Sequence, residues 1–193
     1  MNTPSPSARL TSGKVREDLA KAIADAALLR GTFTLRSGRI SSYYLDKYRF
    51  STRPEVLGPL SHLFSERIAA IAADCGGVDR LAGAELGGIP LVAATCLVSG
   101  HPTLFVRNAK KDYGTAKQLE GLVKPGDRVV FLEDVATTGG QALEAVGVLK
   151  EAGADVVAII CTIDRLEGAR ENIEKAGIRF EALFTKRDLG VDE

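Results

Sequence analysis

An apolar run that ends in two carboxylates is costly to bury, and this chain has one. Val129-Val130-Phe131-Leu132 leads into Glu133-Asp134, and Val135-Ala136-Thr137-Thr138-Gly139-Gly140-Gln141 follows at once. The run predicts a buried strand and the residues from Gly140 onward a helix, so the small-residue turn falls at a helix N-terminus. Its backbone N–H groups, its two hydroxyls and the missing Cβ atoms of Gly139 and Gly140 suit a phosphate. Carboxylates repel phosphate. Glu133 and Asp134 make sense beside it if the ligand also carries vicinal hydroxyls, from which a carboxylate accepts hydrogen bonds. A phosphorylated sugar meets both demands. The alternative is a capped strand-to-helix turn in which Asp134 is ordinary turn chemistry. The chain holds no G-x-x-x-x-G-K-[ST] loop.

A second set of candidates is basic. Between Arg107 and the strand beginning at Arg128 lies a stretch without apolar periodicity that contains Lys110, Lys111, Lys117 and Lys124. Connections of this length are usually functional or disordered. Cations that reach a departing anionic group stabilise charge that grows in the transition state; a solvated basic loop is the alternative.

These residues need a frame. Val15–Leu29 predicts a first helix stopped by Gly31. Phe33–Tyr48 predicts a hairpin, with Phe33-Thr34-Leu35 and Tyr43-Tyr44-Leu45 flanking a turn near Ser37-Gly38. A second helix begins at Pro54, a residue suited to a first turn, and Val56, Leu60, Leu63, Phe64, Ile68 and Ile71 give it one apolar face. Strands and helices then alternate. Leu81–Ala84, Thr103–Arg107, Arg128–Leu132, Val156–Ile163 and Phe180–Phe184 read as strands; Ile89–Leu97, Gly140–Ala152 and Gly168–Ala176 read as helices. Apolar strands separated by helices predict an α/β fold, a mostly parallel sheet covered on both faces. Ligands of such sheets bind at the carboxyl ends of strands. The expected organisation is a loose tail over residues 1–12 and one domain over 13–193, with a hood at about 13–50 beside the sheet and a mobile loop at about 108–121.

Composition narrows the partners. Hydrophobic residues make up 45% and charged residues 26% of 193, a globular balance. Lys plus Arg equals Asp plus Glu, 25 against 25, so no global field points to nucleic acid or a membrane, and an anionic substrate must meet a local cluster. Cys75, Cys96 and Cys161 are odd in number and form no C-x-x-C pair, which predicts buried free thiols. Met1–Ser12 lacks the apolar centre of a signal peptide, and no run approaches the ~18 apolar residues of a membrane span; the expected location is the cytosol. His62 and His101 read as structural, and no Cys/His/Asp cluster has zinc spacing.

Four apolar residues, an acidic pair and a T-T-G turn resemble the phosphoribosyl diphosphate (PRPP) motif of type I phosphoribosyltransferases, which is specific for that fold and silent on the base. The resemblance implies that Glu133 and Asp134 hold the ribose 2- and 3-hydroxyls and that Thr137–Gln141 cradle the 5-phosphate. Phe105–Gly114 resembles the catalytic loop R-K-x-x-K-x-H-G of orotate phosphoribosyltransferases. Arg107, Lys111 and Gly114 match, Asn108 and Tyr113 depart, and Lys110 stands near enough to supply the charge missing at Asn108. Gly31–Ser41 resembles the signature F-T-L-K-S-G-x-x-S, with Arg36 in place of the lysine that reaches the substrates. Ile163–Gly168 resembles D-R-x-E-x-G, which implies that Arg165 meets the carboxylate of orotate bidentately; for an arginine taken alone, an ion pair with Asp164 or Glu167 is the alternative. Leu86-Gly87-Gly88-Ile89-Pro90 resembles the diphosphate-binding Y-K-G-I-P, with Gly87 replacing the lysine. The likeness runs from about Gly31 to Leu189.

It implies transfer of ribose 5-phosphate from PRPP to N1 of orotate, giving orotidine 5-phosphate and diphosphate in pyrimidine (UMP) synthesis. The implied catalytic residues are Lys111, Arg107 and Asp134. Arg36, Lys110, Glu133, Asp134, Val135, Ala136, Thr137, Thr138, Gly139, Gly140, Gln141 and Arg165 would bind substrates. Mg²⁺ would be held mainly by PRPP itself, and the loop would close on the other subunit of a homodimer. Two rivals are a phosphoribosyltransferase for another base, such as a purine, and a PRPP-sensing regulator that binds nucleic acid. The hood signature and Arg165 disfavour the first; zero net charge and the lack of an added DNA-binding segment disfavour the second.

Overall fold

Leu19, Ala20, Ile23, Ala26 and Ala27 recur at helical spacing and form the buried stripe of α1 (Gly13–Ala27). This is seen in the computed structural model, which describes residues 13–34, 38, 40–108 and 118–192. The helix stops short of the expected Leu29, because Leu28 and Leu29 enter β1 (Leu28–Thr34), paired antiparallel with β2 (Ile40–Leu45). Gly31, expected to end the helix, lies inside β1 at φ 154°, where the register slips between Arg30 and Phe33. A bulge is the other structure that a strand glycine marks. Lys47 and Tyr48, read as hairpin, instead open a short helix, α2 (Lys47–Ser51), around the fully buried Phe50; tertiary burial overrides local strand propensity there. α3 (Pro54–Cys75) begins at its proline and buries Val56, Leu60, Leu63, Phe64, Ile68 and Ile71.

The alternation follows as β3 (Arg80–Ala84), α4 (Gly88–Ser99), β4 (Thr103–Val106), β5 (Leu119–Glu120), β6 (Arg128–Ala136), α5 (Gly140–Glu151), β7 (Asp155–Asp164), α6 (Ala169–Lys175) and β8 (Arg179–Thr185). The sheet order is β5-β4-β3-β6-β7-β8, parallel except for β5. The expected mostly parallel α/β sheet is therefore present. β5 lies within the stretch read as loop, since a strand of two residues has no periodicity to detect. One sheet face, with Val130, Leu132, Ala158 and Ile160, shares a core with α1, the hairpin and α3. The other, with Val129, Phe131 and Ile159, packs on Ala142, Val146, Leu149 and Ile173. Of the cysteines only Cys161 is buried; Cys75 is exposed and Cys96 half-buried. Apolar sequence neighbours misled there, because helical phase decides which side chains turn inward. The tail over residues 1–12 lies outside the described residues.

Strand order reverses beside β3: the chain steps outward to β4 and returns on the other side as β6. A crevice opens where an open α/β sheet reverses. Its floor is tight, for a Cβ on Gly83 would lie 2.6 Å from Val92 Cγ2 and 2.8 Å from the Gly88 carbonyl oxygen. β6 also continues past Leu132 to Ala136, so Glu133 and Asp134 are strand residues, with Lys47 and each other as charged neighbours.

Candidate active site

A cleft of about 700 Å³ occupies the crevice. Lys47 and Tyr48 reach it from α2, Glu85, Leu86 and Gly87 from the turn after β3, and Arg107 and Asn108 from the end of β4. Glu133 enters from β6, and Gln141 and Glu144 from α5. A smaller cavity of about 70 Å³ adjoins it, lined by Glu133 and by Val135, Ala136, Thr137, Thr138, Gly139, Gly140 and Gln141. Gly139 sits at φ 78°, and a Cβ there would meet Ile173 at 2.9 Å. Asn172 Nδ2 donates to the Thr138 carbonyl at 2.9 Å and pins the turn. No side chain caps α5, so its first N–H groups are available to an anion.

Asp134 is fully buried, which excludes its reading as an ordinary turn residue. Lys47 Nζ donates to Asp134 Oδ1 at 3.3 Å and lies 3.1 Å from Oδ2. Val135 N–H donates to Oδ1 at 2.6 Å. Oδ2 has no aligned hydrogen-bond donor among the described residues, so its attraction to Lys47 is Coulombic. Burial, with the Asp134 charge beside it, pushes Glu133 well above the ordinary carboxylate range; Lys47 offsets part of this. Burial pulls Lys47 down, but Asp134 outweighs it and holds the ammonium above its usual range. Gly87 faces the same carboxylate: a Cβ there would stand 1.5 Å from Asp134 Oδ2.

Arg107 extends from β4 at the base of the long connection. Its N–H donates to the Gln118 carbonyl at 2.8 Å, and Gln118 Nε2 returns a bond to the Arg107 carbonyl at 3.0 Å. Asn108 N–H donates to Glu85 Oε1 at 2.7 Å. Arg165, just past β7, lies on the hood side. Its Nη2 donates to the Tyr43 hydroxyl at 3.2 Å and pairs with Glu167 Oε1 at 3.0 Å, with the guanidinium 5.3 Å from the Tyr43 ring centroid. Next to it Leu166 adopts φ 57°, an uncommon conformation for a bulky residue and one that gathers at functional turns.

No protein-family model matches the chain. An orotate phosphoribosyltransferase of Pyrococcus abyssi is 42% identical over 176 residues, 91% of this chain and 95% of that protein. One of Natronomonas pharaonis is 44% identical over 177 residues, 91% of this chain and 98% of that protein. The chain belongs to the orotate phosphoribosyltransferase family. Solved members share its fold: the Mycobacterium tuberculosis orotate phosphoribosyltransferase in complex with PRPP superposes with TM-score 0.75 at 31% identity, over 91% of this chain and 99% of that one. An adenine phosphoribosyltransferase of Leishmania donovani, at 20% identity and TM-score 0.67, shares the fold alone.

Of the residues expected from the family resemblance, the structure brings Arg107, Glu133 and Gln141 to one cleft and Val135–Gly140 to the cavity beside it. Asp134 lines neither, its carboxylate lying against Gly87 and Lys47 at the border of the cleft, and Arg165 lines neither. Its pairing with Glu167, the alternative open to it from sequence, is present. Arg36, Lys110 and Lys111 lie outside the described residues. Lys47, Tyr43, Glu85 and Glu144 went unmarked by sequence. The one signal for Lys47 was the charged and aromatic cluster Asp46-Lys47-Tyr48-Arg49 ahead of Phe50.

Proposed function

We propose that the chain transfers the 5-phosphoribosyl group of PRPP to N1 of orotate and releases diphosphate. The carrying observation is the joining, in one crevice, of the carboxylate Glu133 to an uncapped glycine-rich turn, in a family with a member solved with PRPP bound. The turn Thr137–Gln141 takes the 5-phosphate and Glu133 the ribose hydroxyls. Asp134 acts beside Glu133, together with Lys47. Arg165 takes the orotate carboxylate, and Arg36 and Lys110 add charge for the phosphates. The bond from the anomeric carbon to diphosphate lengthens ahead of the bond to N1. Positive charge then grows on the sugar beside Glu133 and negative charge on the leaving group, where Arg107 and Lys111 meet it.

Glu85, Glu133 and Glu144 line the cleft, yet no three His, Cys, Asp or Glu among the described residues converge as a metal site. That donor set fits Mg²⁺ chelated mainly by PRPP, with Glu133 as the side chain nearest the ribose, and the ion would neutralise charge on the leaving group. A homodimer is proposed because α4 is apolar nearly all round, as a core helix is, while its Leu97 is 87% exposed. A second copy would cover it, and the loop bearing Lys111 would then close on the neighbouring subunit, as the family resemblance implies. No helix among the described residues is long and apolar enough to cross a membrane, and free thiols suit a reducing compartment, so we place the reaction in the cytoplasm.

The test is orotate consumption with and without PRPP and Mg²⁺, beside adenine, hypoxanthine and uracil. Orotate turnover that needs both PRPP and Mg²⁺ is expected. Turnover of a purine alone would reassign the base, and PRPP binding without turnover of any base would favour the sensor.

A further inference from the structure

Lys47 is a cleft cation with no counterpart among the residues expected from sequence. Its side chain is 33% exposed where that of Asp134 is 1% exposed, so the pair spans from the buried strand to the open cleft. A wholly buried carboxylate stays ionised only with a counter-charge at hand, and Lys47 supplies it at 3.1 Å. An ammonium has three N–H donors, which leaves donors beyond those Asp134 uses, on a residue that lines the cleft. The turn after β3 borders the same point but carries no cation there; its one charged residue, Glu85, accepts from Asn108 N–H. At residue 87 the backbone conformation is ordinary (φ −72°), yet a Cβ would fall 1.5 Å from Asp134 Oδ2 and 2.5 Å from its Cγ. The backbone would admit a side chain there; as the site stands, the Asp134 carboxylate occupies the volume that its Cβ would take. The other charged group at this point is Glu133, on the strand itself, with the Tyr48 phenol beside Lys47. α2 is anchored by Phe50, fully buried, and by Asp46 N–H donating to the Ala27 carbonyl at 2.9 Å, so the hood sets where the ammonium stands.

We propose that Lys47 is a working residue of the phosphoribosyl site: it holds Asp134 in place and presents its ammonium to the diphosphate end of the substrate, from α2 rather than from the turn after β3. This rests on the functional reading above and deepens it. Asp134, without access to either cavity, acts through Lys47 as a positioning residue, while Lys47 itself touches substrate.

The experiment uses the full chain with Lys47→Met, Lys47→Arg and the double variant Lys47→Met/Asp134→Asn. Inorganic pyrophosphate binding is followed by calorimetry, steady-state kinetics are measured with each substrate varied, and thermal midpoints are recorded. Losing a partly buried charge contact is expected to weaken pyrophosphate binding and raise the KM for PRPP roughly 10- to 100-fold, with the KM for orotate moving less than about threefold. Lys47→Arg is expected to recover most of the loss. In Lys47→Met the acidic limb of kcat/KM for PRPP is expected at higher pH, because Glu133, which lines the same cleft, has lost a cation that favours its ionised form. A purely structural lysine would lower the thermal midpoint without moving the pyrophosphate affinity or the pH limb. If Lys47→Met fails to fold, the double variant strands no charge and is read instead: weak pyrophosphate binding upholds the proposal. Wild-type pyrophosphate affinity in whichever variant folds would overturn it. Wild-type protein that binds pyrophosphate but turns over no orotate would instead refute the functional reading, and the binding arm still decides for Lys47.

Discussion

Cutting Arg165 back to alanine separates recognition of the base from recognition of PRPP. The side chain is 13% exposed, and Nη2 is engaged by the Tyr43 hydroxyl at 3.2 Å and Glu167 at 3.0 Å. Nε is buried with no hydrogen-bond partner among the described residues. A guanidinium held this way has donor capacity left for a planar carboxylate. A hydrogen bond to a charged group contributes ~1.5–3 kcal/mol, and a bidentate pair is placed at about 3 kcal/mol, or roughly 100-fold in KM for orotate. The stability cost is smaller. Loss of the contact over Tyr43 costs about 1 kcal/mol and loss of the partly buried pair with Glu167 about 0.5 kcal/mol. At ~2–4 °C per kcal/mol for a chain of this size, the thermal midpoint falls by about 3–6 °C. Initial rates are measured with orotate varied at saturating PRPP, and then the reverse. Arg165→Lys keeps the charge and loses the fork, so it falls between wild type and alanine. An equal rise in both KM values would refute the reasoning and make Arg165 the structural partner of Glu167.

Glu133, Gly87 and Lys111 offer further tests. A carboxyl whose folded-state pKa is raised binds its proton more tightly folded than unfolded, so its cost to stability appears as pH rises through that window. Glu133→Gln is therefore expected to raise the thermal midpoint at pH 7 but not at pH 4, while kcat/KM for PRPP falls; an equal shift at both pH values would sink the burial argument. Gly87→Ala puts a methyl where the Asp134 carboxylate stands, and kcat/KM for PRPP should fall about tenfold or more with helix content unchanged by circular dichroism. Lys111→Ala is expected to lower kcat steeply and PRPP binding only modestly, as for a contact made in the transition state. If the loop acts across a homodimer as proposed, mixing it with Asp134→Asn under subunit exchange should restore up to about half the wild-type rate per heterodimer, since two-fold symmetry then leaves one site intact in each. Exchange without recovery would place the loop in its own subunit's site.

Most of the sheet could be read from the chain because its strands are apolar on both faces and separated by helices, a pattern that few other architectures bury. The phosphate turn could be read as well, for its chemistry lies in consecutive residues, Glu133 to Gln141. Local pattern stopped there. It could not show that β6 carries both carboxylates within the strand, or that Phe50 turns the end of the hairpin into α2. Nor could it show that Lys47 meets a carboxylate 87 positions away. The missing lysine at Gly87 was visible as a departure, but not what stands in its place: the Asp134 carboxylate, from a neighbouring strand, fills that space. Periodicity and consecutive motifs report what a residue does with its near neighbours. Which charge stands opposite which, across a crevice made where strand order reverses, is decided only when distant segments compete for the same buried space.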